Sequence, residues 1–216
     1  MSTHHEPLPR GRHGLTRDQV RDSQRARLLL GMAESVAEHG YPRATVATVL
    51  NRVHVSRETF YQHFSDKEDC FLAVLDESAK LLASALAAGA GTATGPALPR
   101  LERVLTTYFT TLSEQVPFAR VFFVESYAAG IPAQRKRVEV QERFVDLMVT
   151  AFADSPEWRT LPDPRFACRL VVGGISSLVS AALIKGEAAT LPGTAPKVVE
   201  LVRHLVSPGA ESSTRV

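Results

Sequence analysis

Ser56, Arg57, Tyr61, His63 and Lys67 lie close together in the stretch HVSRETFYQHFSDKEDCF, residues 54–71. Hydroxyl, guanidinium, phenol, imidazole and ammonium groups crowded in this way could do one of three things. They could move protons in a catalytic centre, ligate a metal, or offer donors to an anion such as a nucleic-acid backbone. A metal site needs ligands at set spacings, but the 2 Cys and 7 His form neither Cys-x-x-Cys nor His-Glu-x-x-His. His4 and His5 are adjacent but sit in a polar terminal stretch and read as solvated. A phosphate loop is also missing, because the glycines of GAGTATG (89–95) follow no strand and precede no Gly-Lys-Ser/Thr. Cys168 with His204 is the one remaining catalytic candidate, and no sequence feature brings the two together. No enzyme, metal or cofactor is therefore expected. Donors for an anion remain.

The elements that must hold these donors are helical. Every segment between breaks shows helical period, and no alternating strand is present. Thr16 with Gln19 three residues on forms a capping-box start, and Gly40 a stop, for a first helix with Leu29, Ala33, Val36 and Ala37 inward. Thr45 caps a short helix ending near Val53, His54 and Val55 make a tight turn, and Ser56 caps a second short helix ending near His63. Asp66 then caps a longer helix. Helices as short as the two central ones are unstable alone. The long first helix is the natural support behind them, which predicts a helix-turn-helix with its second helix facing a DNA major groove.

The polar crowd then sorts itself. Phe60 and Phe64, four apart, face inward with Val55, while Arg57, Thr59, Gln62 and His63 face out with Tyr61 at the edge. A helix start at Ser56 offers N–H groups to phosphate. Arg57 is placed for a base edge, and Tyr61, His63 and Lys67 for the backbone. Net charge is only +2, but six arginines lie between Arg10 and Arg27 against Asp18 and Asp22. Arg17, Arg21 and Arg25 form a line at i, i+4 spacing. The segment fits a local anionic contact or a solvated helix face.

Residues 25–76 resemble the TetR family of one-component transcriptional regulators. The resemblance rests on EHGYPRATVATVLNRVHVSRETFYQHFSDKED, with Gly-Tyr, Thr-Val, Val-Ser, Thr-x-Tyr-x-x-Phe and Lys-Glu at the family's spacing. It implies that Thr45, Ser56, Arg57, Thr59, Tyr61, His63 and Lys67 face DNA. Val53-His54 stands where the family usually has Ala-Gly, and Leu50 where alanine is usual. Members of the family are homodimers that bind a double-stranded DNA operator and answer to a small-molecule effector.

The domain plan that follows is a disordered arm (1–15), a helix-turn-helix domain (16–65), an all-α effector-binding and dimerisation domain (66–207) and a disordered tail (208–216). Further helices are expected at about 99–116, 118–129, 133–153, 163–186 and 195–206, some nine in all. The segment 163–186 is apolar almost all round, with Gly173, Gly174, Ser176, Ser177 and Ala181 able to admit a second helix closely. With the stripe Val198, Leu201, Val202 and Leu205 it suggests a four-helix contact between two copies. Phe109, Phe122, Phe144 and Met148 suggest an apolar effector pocket. Glu125, isolated among apolar residues, either pairs with Arg120 or Arg143 or anchors the ligand. The longest uncharged run, Leu170–Ile184, is fifteen residues, short of the roughly 20 that span a bilayer. With no leader-like N-terminal stretch and 2 cysteines far apart, a cytoplasmic protein without membrane contact is expected. The reading is a cytoplasmic repressor released by its effector. A constitutive dimeric DNA-binding or scaffold protein is the alternative.

Overall fold

The computed structural model describes residues 16–91 and 96–206. The expected arm, the tail and part of the glycine-alanine loop lie outside them. Helix α1 (Arg17–His39) begins with a reciprocal cap: the Gln19 N–H donates to Thr16 Oγ1 at 3.2 Å, and the Thr16 N–H to Gln19 Oε1 at 2.9 Å. It stops at Gly40, whose φ of +77° suits glycine. Helices α2 (Val46–Val53), α3 (Arg57–His63) and α4 (Lys67–Ala90) start behind Thr45, Ser56 and Asp66, each accepting a backbone N–H through its side chain.

The α2–α3 turn places His54 in the left-handed region, at φ 51° and ψ 47°. Among the described residues it is the one non-glycine with positive φ, and histidine tolerates that region better than most residues. Helix α2 lies close on α1 because Gly31 has no side chain; a Cβ there would meet Val53 Cγ1 at 2.4 Å. Arg27 donates to the Val53 carbonyl, answering an unpaired carbonyl at the end of α2. Phe60 of α3 and Phe64 just after it are buried with Leu28, Met32 and Val49. Truncating Phe60 to alanine would cost about 3–5 kcal/mol, enough to lose the position of α3.

The second half comprises α5 (Ala97–Glu114), α6 (Val116–Phe123), a 3₁₀ turn (Glu125–Tyr127), α7 (Ile131–Phe152), a single-turn α8 (Pro156–Arg159), α9 (Pro164–Lys185), a 3₁₀ stretch (Ala188–Thr194) and α10 (Ala195–Val206). The described residues contain no strand, so the expected all-α architecture is the observed one. Several details differ from the sequence reading. Pro117 lies in the first turn of α6 rather than before it, where its missing N–H has no partner to lose. The helix expected over 118–129 ends at Phe123 and tightens into the 3₁₀ turn, which turns Glu125 inward. One turn, α8, forms in a segment read as loop, and Trp158 stacks there on Phe152 with ring centres 4.5 Å apart.

Helix α1 packs on α2, α4 and α6; α4 also packs on α5, α6 and α7, and α9 on α6 and α7. One core therefore runs from the helix-turn-helix into the larger bundle. By length and composition alone α9 could cross a membrane. It is instead tied along one edge to α7, where Arg165 and Arg169 both reach the Glu142 carboxylate at 3.0 Å. Its opposite edge is bare: Phe166, Leu170 (60% exposed), Leu178 (49% exposed) and Ile184 face outward, and a Cβ at Gly173 or Gly174 would meet nothing. On α10 the expected stripe divides, with Val198 and Val202 buried and Leu201 and Leu205 exposed.

Candidate functional site

The outer face of α3 is built from its ends. The Thr59 N–H donates to Ser56 Oγ at 3.0 Å, and the two hydroxyls are 2.9 Å apart. Two of the expected DNA-facing groups thus hold one another at the start of the helix. Thr45 does the same for α2 through the Thr48 N–H at 3.2 Å. Arg57, Tyr61 and Gln62 are exposed, while Thr59 and His63 are half-buried. Tyr61 stands edge-on to Phe60, with ring centres 5.4 Å apart.

His63 is where α1 meets α3. Burial lowers its pKa first, and the nearby Arg21 and Arg25 lower it further, against Asp22. The guanidinium of Arg25 lies 5.0 Å from the centre of the Phe64 ring. Arg21 and Arg25 therefore extend the cationic surface beside the recognition helix. Their i, i+4 line was visible in the sequence, but its nearness to His63 is a product of tertiary packing.

Lys67 is half-buried and engaged. Its Nζ donates to the Tyr41 carbonyl at 3.0 Å and sits 4.1 Å from the centre of the Tyr41 ring. The Tyr41 N–H donates to Glu125 Oε2 at 2.9 Å, and the other Glu125 oxygen lies 3.6 Å from Arg120 Nη2. Arg120 Nη1 in turn donates to the Leu183 carbonyl at 2.8 Å. Glu125, 7% exposed, is thus a bridge between the bundle and the loop entering the helix-turn-helix.

A cavity of about 460 Å³ opens between α4, α5, α6, α7 and α9, within the usual size range of small-molecule sites. Phe122, Phe144 and Met148 line it, with Phe123, Tyr108 and Ile175. Its lining is almost wholly apolar, and Arg100, Tyr108, Thr150 and Ser176 are its polar members. Phe109, buried one position round α5 from Tyr108, does not line it, and neither does Glu125.

Catalytic readings find no support in this geometry. Burial pushes the Cys70 thiol up to about 12 and that of Cys168 to about 11, so neither is a thiolate at neutral pH. His204 is exposed and contacts its own helix at the Glu200 carbonyl. Among the described residues no group of three or more acidic, histidine or cysteine side chains could hold a metal.

Residues 29–74 match the family model described as bacterial regulatory proteins, tetR family. The HTH-type transcriptional activator FasR of Mycolicibacterium smegmatis is 30% identical over 107 residues, 50% of this chain and 48% of that protein. The HTH-type transcriptional repressor AcnR of Corynebacterium diphtheriae is 42% identical over 64 residues, 30% of this chain and 34% of its own. The chain therefore spans half or less of the length of these relatives. Among solved structures, the fatty acid degradation regulator FadR from Bacillus halodurans superposes with a TM-score of 0.70 at 19% identity, covering 82% of this chain and 96% of that one. FadR from Bacillus subtilis, in complex with stearoyl-CoA, gives 0.70 at 20% identity with the same coverage. Likeness at such identities establishes the shared fold alone.

Proposed function

We propose that this chain, a member of the TetR family of bacterial regulatory proteins, is a homodimeric repressor that binds operator DNA and is released by an apolar small molecule. The observation that carries this reading is the presentation of α3. Phe60 and Phe64 anchor it from behind, its caps hold its start, and Arg57, Tyr61 and Gln62 are left exposed on the other side. Arg57 has the reach and fork geometry for a guanine edge. Thr45, Ser56, Thr59, Tyr61, His63 and Lys67 are placed as hydroxyl, imidazole and ammonium contacts to the phosphates on either side.

The bare edge of α9 supports the dimer. An apolar helix face lined by small residues is stable in water only when covered, and a second copy related by two-fold symmetry covers it with the same surface. Leu201 and Leu205 of α10 extend that face. Two recognition helices so related read a palindrome when they sit about 34–36 Å apart, one turn of DNA. The cavity beside α4 and α6 supports the effector, since its lining offers little besides apolar surface.

Selection of bound sequences from randomised duplex DNA would supply the operator. Titration of purified protein with that operator, with and without a panel of apolar ligands, then tests the reading. Loss of binding on ligand addition is expected. Binding that no ligand changes would instead mark a constitutive DNA-binding protein.

A further inference from the structure

Among the described residues Arg137 is a cation with no anion beside it. It lies on α7 and is only 6% exposed. Its Nη1 donates to the neutral Gln141 Oε1 at 3.1 Å, while its Nε has no partner. The rings of Tyr127 and Phe122 flank the guanidinium at 4.7 and 6.0 Å. Among the described residues the Tyr127 and Tyr108 phenols act on it electrostatically and no carboxylate does. Burial lowers its pKa, yet a guanidinium remains charged at any physiological pH. A buried cation without a counter-ion is strongly destabilising, so buried charges are normally paired. Ring faces and one neutral amide oxygen compensate only in part.

The position of this cation gives it a use. Phe122, Tyr108 and Ser176 line the cavity, and Gln141, which accepts from Arg137, donates through Nε2 to Ser176 Oγ at 2.7 Å. Arg137 therefore stands one side chain behind the cavity wall. On α7 it is two turns before Phe144 and on the same side of the helix, at the end away from Ala151 and Phe152. An elongated ligand lying along α7 from Phe152 toward Phe122 would bring its terminus to this guanidinium.

We propose that the effector is an apolar chain ending in a carboxylate, and that Arg137 takes that carboxylate. The proposal rests on the reading of the cavity as an effector site. Removing Arg137 from water is already part of the folded state, so a carboxylate brings only its own desolvation and gains charge-assisted, two-pronged hydrogen bonds. A hydroxyl or an ester cannot neutralise the cation. To reach it, the head group displaces Phe122 or the Gln141–Ser176 bond. Either change falls within one turn of Glu125, on α7, which packs against the 3₁₀ turn carrying Glu125, or on α9, which packs against α6.

The test measures dissociation constants of the full chain for octanoate, decanoate and dodecanoate, each beside the primary alcohol and the methyl ester of equal length. Each acid is expected to bind about tenfold or more tightly than its neutral counterparts, the range of a charge-assisted contact over a neutral one. In Arg137→Gln that preference should vanish while the alcohols bind as before; Arg137→Lys should retain most of it. Equal binding of acid, ester and alcohol by the unaltered protein overturns the assignment of Arg137 and leaves the apolar cavity standing. Persistence of the preference in Arg137→Gln also overturns it. If no member of any series binds, the effector reading of the cavity falls together with the proposal.

Discussion

Glu125 and Tyr41 are 84 residues apart in the chain, and the Tyr41 N–H donates to the Glu125 carboxylate at 2.9 Å. Because Lys67 takes the Tyr41 carbonyl at 3.0 Å, both backbone groups of one loop residue are held from opposite sides. The loop leads from α1 into α2, so its position sets that of the helix-turn-helix. Removing the acceptor would leave a partly buried N–H and the Arg120 cation without their partner. Glu125→Ala is expected to lower stability by about 1–3 kcal/mol, read by urea unfolding. It should also weaken operator binding with α3 unchanged in sequence. A variant as stable as the parent would show that water replaces the carboxylate and that the bridge carries no load.

Arg57 and Lys67 should fail differently. Arg57→Ala is expected to relax preference at one base position per half-site, costing about 1–3 kcal/mol there. Lys67→Ala should weaken specific and random DNA alike and reduce the salt slope by about one. Competition titrations over a range of salt separate the two. Lys67 already spends one donor on Tyr41. A lower affinity with an unchanged salt slope would assign it to positioning the loop and not to phosphate.

His63 ties stability and DNA binding to pH. Its folded pKa is below its ordinary value because of burial and of Arg21 and Arg25. As pH falls through about 6.5 the unfolded chain takes up the proton first, so this group subtracts stability on the acid side. A phosphate beside the ring would raise its pKa again, and DNA binding would then be coupled to proton uptake. Operator affinity is expected to rise between about pH 8 and pH 6, by less in His63→Gln. Equal pH slopes for parent and variant would remove His63 from the interface.

Leu178 sits at the middle of the bare face of α9, 49% exposed between Gly174 and Ala181. In the proposed dimer, Leu178→Glu would place a charge in the apolar contact between the two copies. Sedimentation should show dimer for the parent and monomer for the variant. Operator affinity should fall steeply, since one recognition helix is left without its partner. A variant that stays dimeric would move the interface elsewhere.

What the sequence showed and what it hid divide by range. Thr16, Thr45, Ser56 and Asp66 cap helices through bonds to residues three positions on, so short spacings revealed them. The turn at His54 was legible for the same reason. The break after Phe123 was not, because RVFFVESY keeps a helical pattern and the inward Glu125 is held by partners distant in the chain or on another face, Tyr41 and Arg120. Arg137 was hidden more thoroughly. In AQRKRVEVQERF it is one basic residue among several and reads as solvated, and its burial depends on Tyr127 and Phe122 from another part of the chain. The cavity lining was partly visible as aromatic residues on helices, but the choice of Tyr108 over Phe109 depends on the rotation of α5 in the bundle.

Helix α4 follows α3 directly, and its Ala83, Leu86 and Ala87 line the cavity. A pivot at its far end looks open in the sequence, where AGAGTATG is all small residues. The structure closes that option in part. Gly89 packs backbone to backbone on α5, where a Cβ would meet Val104 Cα at 2.6 Å, so the far end of α4 is held. The other end is tied through Lys67 and Tyr41 to Glu125, and a ligand that displaces Phe122 acts on that tie through α6. To move the population from 1:99 to 99:1 the ligand must favour the released form by about 5.5 kcal/mol. Roughly 250 Å² of additional apolar burial in that form would supply about as much. Spin labels at Gln62 of each subunit are therefore expected to report a changed separation when effector binds, away from the roughly 34–36 Å that a palindrome requires. If effector abolishes DNA binding while the distance distribution stays the same, rigid displacement is excluded and release occurs through a change in flexibility.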